Sequence, residues 1–326
     1  MRKLDMILAA AAVAAVSVSA GLYLINHPLR RGAKAGISVE APEPSRIVSP
    51  HELLKKSAHT ASGTSSGAGE HGSELTSRTA IYPVWRACPW RLETTHPITA
   101  QGGYIAPVWS PIGLDVAFTR LNAPGIFIAG PNGGSTRMLS DDQADSEKFS
   151  WNLDGMSLRV RQPDGRHANL MITGEKYPAI EQQARVYEAE NAIYFQPEDG
   201  DPRRISGPED VFSSPHLSPD GTKVAYEGRE TGIYITHLDG SRTVCAENGR
   251  HPAWMPDGSG IIYDAGVYDG AQAVDSDLWY ASAETDERAN LTKSPGVPEA
   301  YPSVAPDGDR VAFSCAGAIY IGRIVK

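Results

Sequence analysis

The sequence predicts an all-β fold, a β-propeller built from units of four antiparallel strands, on three observations. A tight turn between two short apolar strands recurs along the chain, and a second type of strand recurs behind it. The chain also carries 24 prolines and 32 glycines in 326 residues, which favours many turns over long helices.

The first recurring unit is a hairpin, and its clearest copy reads LSPDGTKVAYEG at residues 217–228. Asp-Gly between two β-prone runs is a strong hairpin signal, because Gly tolerates a positive φ and Asp caps the turn. Related segments begin at Pro107, Phe149, Pro215, Pro252 and Pro302. The wide gap between the second and third copies leaves room for a degenerate unit.

The second recurring strand has six copies, which begin at Gly125, Asn169, Ala192, Gly232, Asp277 and Ala318. Most copies lead into another hairpin and a short fourth strand. Four strands in units of about 40 residues predict a β-propeller. The unit around residues 184–206 lacks the Pro-Asp-Gly turn and is the weakest of the series.

The two ends of the repeat region are predicted to meet. The chain ends after AIYIGRIVK, before the fourth strand of its last unit, and residues 90–99 near the start of the region read as that missing strand. Pairing the two would close the ring and remove open sheet edges. Cys88 and Cys315 would then share the joint blade, either as a disulfide in an oxidising compartment or as free buried thiols. Cys245 falls in a fourth strand and is predicted to be core.

The pattern SPDG, VAY, GIYITHLDGS resembles the TolB-like propeller repeat over about residues 100–326. The resemblance implies a six-bladed, secreted or periplasmic propeller that serves as a protein-interaction platform. TolB itself carries an α/β domain before its propeller, and residues 27–79 are too short to form one. We therefore expect a propeller over residues 80–326 and carry over no partner-binding residues from TolB.

Residues 6–26 form an uncharged apolar run behind Arg2 and Lys3. About 20 apolar residues can span a bilayer, so the run is either a membrane anchor or a cleaved signal peptide ending at Ala20, within a 1–26 targeting segment. Residues 27–79 are rich in Gly and Ser and read as a flexible tether. We expect the body of the protein to be exported to the periplasm or another extracytoplasmic space, tethered to the membrane by residues 6–26.

The charge of the predicted propeller and the setting of two motif matches argue against some classes of function. Residues 80–326 contain 21 basic and 33 acidic residues, and such an acidic body repels nucleic acid. Two motif matches in the tether, G-x-S-x-G at 63–67 and G-x-G-x-x-G at 67–72, lack the buried strand and following helix that their chemistry needs.

Propeller geometry places candidate site residues at one mouth of the central channel. Strand one of each unit lines the channel, and a bulky series (Trp109, Trp151, Leu217, Trp254 and Val304) is predicted to pack between blades. Residues one and three positions earlier should then point inward. This places Lys148, His216, His251 and Tyr301 in the channel. Two histidines from adjacent blades suit a metal, but the sequence offers no third inward ligand, so we predict no metal or other cofactor.

A loop in the fifth unit, residues 264–277, is longer than its counterparts and reaches the same mouth. Long loops among short ones are often functional, so Asp264 and Asp269 are added to the candidate binding residues. Their spacing does not match a calcium-binding loop, and an ordinary acidic surface loop is the alternative.

The sequence therefore predicts a noncatalytic binding platform in the cell envelope with a protein partner. A lyase or hydrolase acting in the channel is one alternative, but paired carboxylates at channel positions are missing. A sensor of a small ligand or metal is another, and the sequence does not separate it from the platform.

Overall fold

The computed structural model describes residues 83–326, apart from 142–148, 181–184 and 271. The predicted anchor, the tether and the start of the predicted propeller at residue 80 lie outside these residues. In the part of the chain that is described, no helix is long and apolar enough to cross a membrane.

Six sheets form the six blades of a propeller. Two strands precede the first complete blade, β1 (Arg86–Ala87) and β2 (Arg91–Pro97). Blade 1 contains β3 (Tyr104–Trp109), β4 (Val116–Arg120), β5 (Ala123–Ala129) and β6 (Arg137–Ser140). Blade 2 contains β7 (Phe149–Trp151), β8 (Ser157–Arg161), β9 (His167–Met171) and β10 (Lys176–Pro178).

The middle of the ring contains the shortest and one of the most regular blades. Blade 3 has three strands among the described residues, β11 (Val186–Ala189), β12 (Ala192–Phe195) and β13 (Arg203–Arg204), where four were predicted. Its weak repeat, without the Asp-Gly turn, agrees with this reduced sheet. Blade 4 is complete, with β14 (Phe212–Leu217), β15 (Lys223–Gly228), β16 (Gly232–His237) and β17 (Thr243–Glu247).

The last two blades receive the N-terminal strands. Blade 5 contains β18 (Gly249–Trp254), β19 (Gly260–Asp269), β20 (Gln272–Ser282) and β21 (Glu287–Asn290). Blade 6 contains β22 (Glu299–Val304), β23 (Arg310–Cys315) and β24 (Ala318–Val325). Strand β2 pairs with β24 and completes blade 6, which confirms the predicted closure. Strand β1 adds a fifth strand to blade 5, parallel to β21, which was not predicted.

The hydrophobic core lies between blades. Strands such as β15 and β16 are buried along nearly their whole length, because a neighbouring blade covers each face. The bulky strand-one residues sit in these seams as predicted. Two of them also fasten one blade to the next, since Trp151 Nε1 donates to the Val108 carbonyl at 2.9 Å and Trp254 Nε1 donates to the His216 carbonyl at 3.0 Å.

Cys88 belongs to a different blade from the one predicted. Its N–H donates to the Arg288 carbonyl at 3.2 Å, at the edge of blade 5, whereas Cys315 ends β23 in blade 6. Both are free thiols, and burial raises the pKa of each, that of Cys315 to about 11. The disulfide stays a prediction for an oxidising compartment. Cys245 is fully buried, as predicted.

Candidate functional site

Bulges in strand one bring residues of several blades together at the channel mouth. Four strand-one residues have a positive φ of 51 to 56°, namely Ala106, Ser214, His251 and Tyr301. The pairing of strands one and two shifts register at each of them. This conformation costs a non-glycine residue about 1–2 kcal/mol, so other contacts must hold it. The bulges also interrupt the strict alternation on which the prediction of inward-facing residues depended.

Carboxylates of the preceding blade hold two of these bulges. Glu227 Oε1 accepts the backbone N–H of His251 at 2.8 Å, and Asp264 Oδ1 accepts that of Tyr301 at 2.8 Å. Glu227 and Asp264 occupy the same place in their blades, directly after the buried aromatic of strand two. The same kind of hydrogen bond, from a backbone N–H to a carboxylate, therefore joins blade 4 to blade 5 and blade 5 to blade 6.

Asp264 is the centre of the mouth cluster, which we define as Glu227, His251, Asp264, Tyr268 and Tyr301. Its side chain is 0% exposed. Besides the Tyr301 N–H, it lies 2.9 Å from His251 Nδ1 and accepts the hydroxyl of Tyr268. The His251 ring stacks on Tyr301 with centroids 3.9 Å apart. The Asp264 carboxylate therefore holds one edge of the His251 ring, and the Tyr301 ring packs against one of its faces.

The pKa values of the two mouth histidines are shifted in opposite directions. Burial disfavours the imidazolium of His251, but the Asp264 carboxylate more than offsets this, so the pKa of His251 is raised above its usual value. Burial and the nearby His251 lower the pKa of His216 to about 4, which keeps His216 neutral at neutral pH. His251 Nδ1 faces Asp264, and no described protein group bonds the other ring nitrogen, Nε2.

The segment predicted to be a long loop in blade 5 is a long β-hairpin. Strands β19 and β20 have 10 and 11 residues and stay paired as far as Asp269 and Gln272. Pairing with β18 ends at Ala265, so residues 266–275, here called the mouth hairpin, extend beyond the blade. The prediction was wrong because the strands stay paired up to Asp269 and Gln272, and Gly270 follows with φ 62°, which glycine adopts without strain.

Contacts at both edges hold the mouth hairpin in place. The Arg250 guanidinium lies over the Tyr268 ring, 4.3 Å from its centroid, on one edge. On the other, Ser276 Oγ donates to the Glu299 carbonyl at 2.7 Å, and Asp275 Oδ1 accepts the Gly296 N–H at 2.9 Å. The hairpin is therefore tied to blade 6 as well as to its own blade.

A cleft of about 420 Å³ lies between the mouth hairpin, blade 6 and the start of blade 1. Gln272 and Ala273 form the hairpin side, and Tyr301 also lines it. The other lining residues carry no charge, and most of them are apolar or glycine: Gln101, Gly103, Ile105, Leu121, Pro298, Ala300, Ser314, Cys315, Ala316 and Gly317. Tyr301 thus connects the cleft to the mouth cluster.

The predicted site residues divide into three groups. His251, Asp264 and Tyr301 meet in the mouth cluster, and His216 is close enough to His251 for the two charges to interact. Asp269 stands apart and exposed at the end of β19. Lys148 lies outside the described residues.

The described part of the chain can also be compared with the ligand sets that metals need. Among the described residues, no group of three His, Cys, Asp or Glu side chains is placed to hold a metal ion. Two aspartates near the mouth hairpin are already occupied. Asp275 bonds the Gly296 N–H, and Asp277 accepts Asn290 Nδ2 at 2.7 Å and the Ser294 N–H at 2.8 Å.

Glu227 and Tyr268 are functional candidates that the sequence analysis missed. A signal existed for Glu227, since the residue after the strand-two aromatic is Thr119, Glu227, Asp264 or Ser314 in the four regular blades, and two of these are acidic in a buried strand. For Tyr268 the signal was weaker, because its contact depends on the fold of the mouth hairpin.

Comparison with known proteins is informative only at the level of structures, because no family model and no curated protein matches the chain. An oligogalacturonate lyase in complex with manganese aligns with 73% of this chain and 97% of its own at 14% identity, with a TM-score of 0.41. A protein described as TolB from Agrobacterium tumefaciens aligns over 67% and 75% at 19% identity, with a TM-score of 0.31.

A third neighbour is the β-propeller domain of Cps50 (Swd1) from Myceliophteria thermophila. It aligns over 70% of this chain and 99% of its own at 10% identity, with a TM-score of 0.47. At these values the neighbours carry no functional information. The six sheets themselves establish the propeller, in agreement with the fold that the TolB-like repeats imply.

Proposed function

We propose that this protein is a noncatalytic binding platform of the cell envelope, whose propeller holds a segment of a protein partner in the cleft beside the mouth hairpin. One observation carries the proposal. A long hairpin extends past its blade and is tied down at both edges, so that it walls a 420 Å³ cleft at the channel mouth.

The cleft suits a peptide segment with an apolar side chain. Its walls are mostly apolar side chains and main chain, and the amides of Gln101 and Gln272 can bond a peptide backbone. Apolar clefts with a few placed polar groups are the usual form of binding sites. The bound segment would lie against Tyr301, whose ring also contacts His251.

The cellular setting belongs to the same proposal. Residues 6–26 are an uncharged apolar run long enough to anchor the chain, and residues 27–79 have the composition of a tether. A propeller held in this way would present its cleft to other envelope proteins. Cell fractionation with protease protection tests this part independently of the cleft.

A second candidate is chemistry at His251, or sensing of a small ligand there. Asp264 holds Nδ1 at 2.9 Å, and Nε2 has no partner among the described protein groups, which is how a general base is held. A lyase or hydrolase would also need an acid, a nucleophile or a metal placed nearby. This arrangement supports the second candidate less well than the hairpin supports the first.

The test is site-specific photo-crosslinking of the full chain in intact envelopes. A photoreactive residue at Gln272 should give one defined adduct with a protein, and the same probe at Thr222, in the turn of blade 4 at the other end of the channel, should not. Replacing residues 268–274 by Asn-Gly keeps Asp264 and a two-residue hairpin turn but removes the wall, so the adduct, probed from Gln101, should be lost.

The variant His251→Gln separates the two candidates. A platform should keep its adduct in this variant, because His251 does not line the cleft, whereas loss of the adduct would favour a ligand or substrate held at His251. If neither Gln272 nor Gln101 gives an adduct in envelopes that contain the folded protein, the platform proposal fails.

A further inference from the structure

The turns between strands one and two lie at the far end of the channel, and we call this side the turn face. In blades 4, 5 and 6 these turns read Pro-Asp-Gly followed by Thr222, Ser259 or Asp309. In blades 1 and 2 the same positions hold exposed apolar residues. Ile112 is 44% exposed, Leu114 64%, Leu153 55% and Met156 46%.

These four side chains come from the neighbouring turns of blades 1 and 2, and we call them the patch. A Cβ atom added to Gly155, in the turn of blade 2, would lie 2.6 Å from Ile112 Cγ1 of blade 1. Ile112 therefore packs directly on the turn that carries Leu153 and Met156. Isolated exposed apolar residues are ordinary on protein surfaces, but a contiguous group indicates a contact surface.

The turn itself does not require the isoleucine. In blade 2, Asp154 Oδ1 accepts the N–H groups of Met156 and Ser157, which is the usual capping role of this position. Blade 1 has Ile112 in place of that aspartate, and the Ser110 hydroxyl accepts the Ile112 N–H at 3.3 Å instead. Blade 1 thus lacks the capping carboxylate that blade 2 has, and it carries an exposed apolar side chain at that position.

The chain enters the propeller on the turn face. The Arg86 N–H donates to the carbonyl of Asp286, in the turn after β20, at 2.6 Å. That turn lies beside the strand one–two turn of blade 5, because the Ala283 N–H donates to the Ser259 carbonyl at 2.9 Å. Val84, just before β1, is 91% exposed. The described chain therefore begins on the turn face.

We propose that the patch of Ile112, Leu114, Leu153 and Met156 docks on the surface of the lipid bilayer. The apolar run of residues 6–26 precedes the point of entry by 56 residues, and a flexible chain of that length has an end-to-end distance of roughly 40 Å. The patch is then held within reach of the membrane, on the side of the molecule from which the tether leaves. The inference depends on the anchoring by residues 6–26 and not on the cleft.

Charge on the turn face determines which lipids favour docking. The turns of blades 4 to 6 carry Asp220, Asp257, Asp307 and Asp309, and of these Asp220 pairs with Lys223 and Asp307 with Arg310, which leaves an excess of negative charge. An anionic bilayer surface repels these groups, so contact through blades 1 and 2 should be strongest on zwitterionic lipid and weaker when anionic lipid is added at low salt.

The experiment compares the polarity of the surroundings at equivalent turn positions in blades 2 and 5. The full chain is placed in phosphatidylcholine vesicles, with an environment-sensitive dye on Met156→Cys or on Ser259→Cys, the equivalent residue of blade 5. The unsubstituted chain, treated with the same dye, gives the background from the native thiols. We expect a blue-shifted dye that is quenched by lipid-borne quenchers at position 156, and a water-like dye at 259.

A second variant adds Leu114→Asp and Leu153→Asp to Met156→Cys. Both are exposed turn residues, so the fold should survive, and the dye should return to a water-like state. A water-like dye at 156 in a chain that floats with the vesicles overturns the docking and leaves the anchor standing.

Two other results would also overturn the docking. A chain that does not float with the vesicles refutes the anchor and the docking together. A shift at 156 that grows with protein density and ignores the lipid quencher means that a second copy of the chain covers the patch.

Discussion

Two charged networks join neighbouring blades at opposite ends of the channel, and they are built differently. On the turn face, buried Lys223 of blade 4 contacts Asp220 at 3.1 Å and Glu284 of blade 5 at 3.0 Å, and these carboxylate side chains are 42% and 53% exposed. At the mouth, the carboxylate of Asp264 is 0% exposed, and its ionisable partner is His251. The turn-face network has a buried cation with solvated anions, whereas the mouth cluster has a buried carboxylate with a cation that can lose its proton.

Because of this difference, the turn-face network keeps its charges at physiological pH, whereas the charge of the mouth cluster can change. Burial disfavours the charged form of Lys223, but Glu284 and Asp220 more than offset this and raise its pKa. Burial would raise the pKa of Asp220, yet hydrogen bonds from Ser218, Thr222 and Lys223 lower it. The turn-face pair therefore stays charged across the physiological range. The mouth network instead contains an imidazole, the side chain whose charge changes most readily near neutral pH, so the charge at the mouth can respond to pH or to a ligand.

Asp264→Ala should have the largest effect on stability. The substitution leaves the Tyr301 N–H, the Tyr268 hydroxyl and one ring nitrogen of His251 without their acceptor in a buried place. Removing one partner from a buried polar network costs about 3–5 kcal/mol, so the free energy of unfolding should fall by that amount in urea or thermal denaturation. The control is Asp269→Ala, exposed on the same hairpin, which should change stability by less than about 0.5 kcal/mol. Equal losses in both variants would refute the central position of Asp264.

The sequence was enough to predict the blades, but it did not predict the backbone bulges of the mouth cluster. Asp-Gly turns and apolar runs are local patterns, so the hairpins and the seam positions of Trp151 and Trp254 could be found from them. His251 and Tyr301 lie in the first strands of their blades, where the repeat pattern placed them, and their role in binding stays a prediction. Their bulges could not be predicted, because each depends on a carboxylate 24 or 37 positions away in the preceding blade.

The N-terminal strands show the same limit. The closing strand β2 was found because blade 6 visibly lacked a partner, whereas nothing in the sequence of blade 5 indicated a missing strand, and β1 was overlooked. The mouth hairpin was read as a loop because its exposed residues lack an apolar stripe. Its strands are held by contacts of Tyr268, Asp275 and Ser276 with other parts of the fold.

His216→Gln should alter the acid side of the stability profile. With a pKa of about 4 in the folded protein and about 6.5 when unfolded, His216 binds its proton mainly in the unfolded state, so it lowers stability as the pH falls from 6.5 towards 4. Its partial exposure reduces the full effect, and we expect the variant to lose about 1–2 kcal/mol less than the unsubstituted protein over that window. Urea denaturation at a series of pH values measures it.

His251→Gln is the matched variant of opposite sign. A raised pKa contributes stability that is present below pH 6.5 and lost as the pH rises through the folded value. The variant should therefore lack that gain at acid pH and show a steeper fall. Identical profiles for the two variants would contradict the opposite pKa shifts of the two histidines.

Lys223→Met should cost less than the loss of Asp264, although both residues are buried. Its carboxylate partners are about half exposed, so water can solvate them once the ammonium group is gone, and methionine keeps the apolar part of the side chain. We expect a loss of about 1 kcal/mol in the free energy of unfolding, and little change with pH between 6 and 8. A loss as large as that of Asp264→Ala would mean that the two networks do not differ as described.

Tyr268→Phe should have the smallest effect on global stability and a local effect on the mouth hairpin. The variant removes one hydroxyl donor from Asp264, which keeps His251 and the Tyr301 N–H, and the ring can still pack under Arg250. The free energy of unfolding should fall by about 1 kcal/mol or less. Hydrogen exchange should nevertheless accelerate at the amides of residues 266–275 and stay unchanged in β18, because the hydroxyl joins the hairpin to the buried carboxylate. Unchanged exchange in the hairpin would show that Ser276 and Asp275 hold it without the mouth cluster, and Asp264 would then act on blade packing alone.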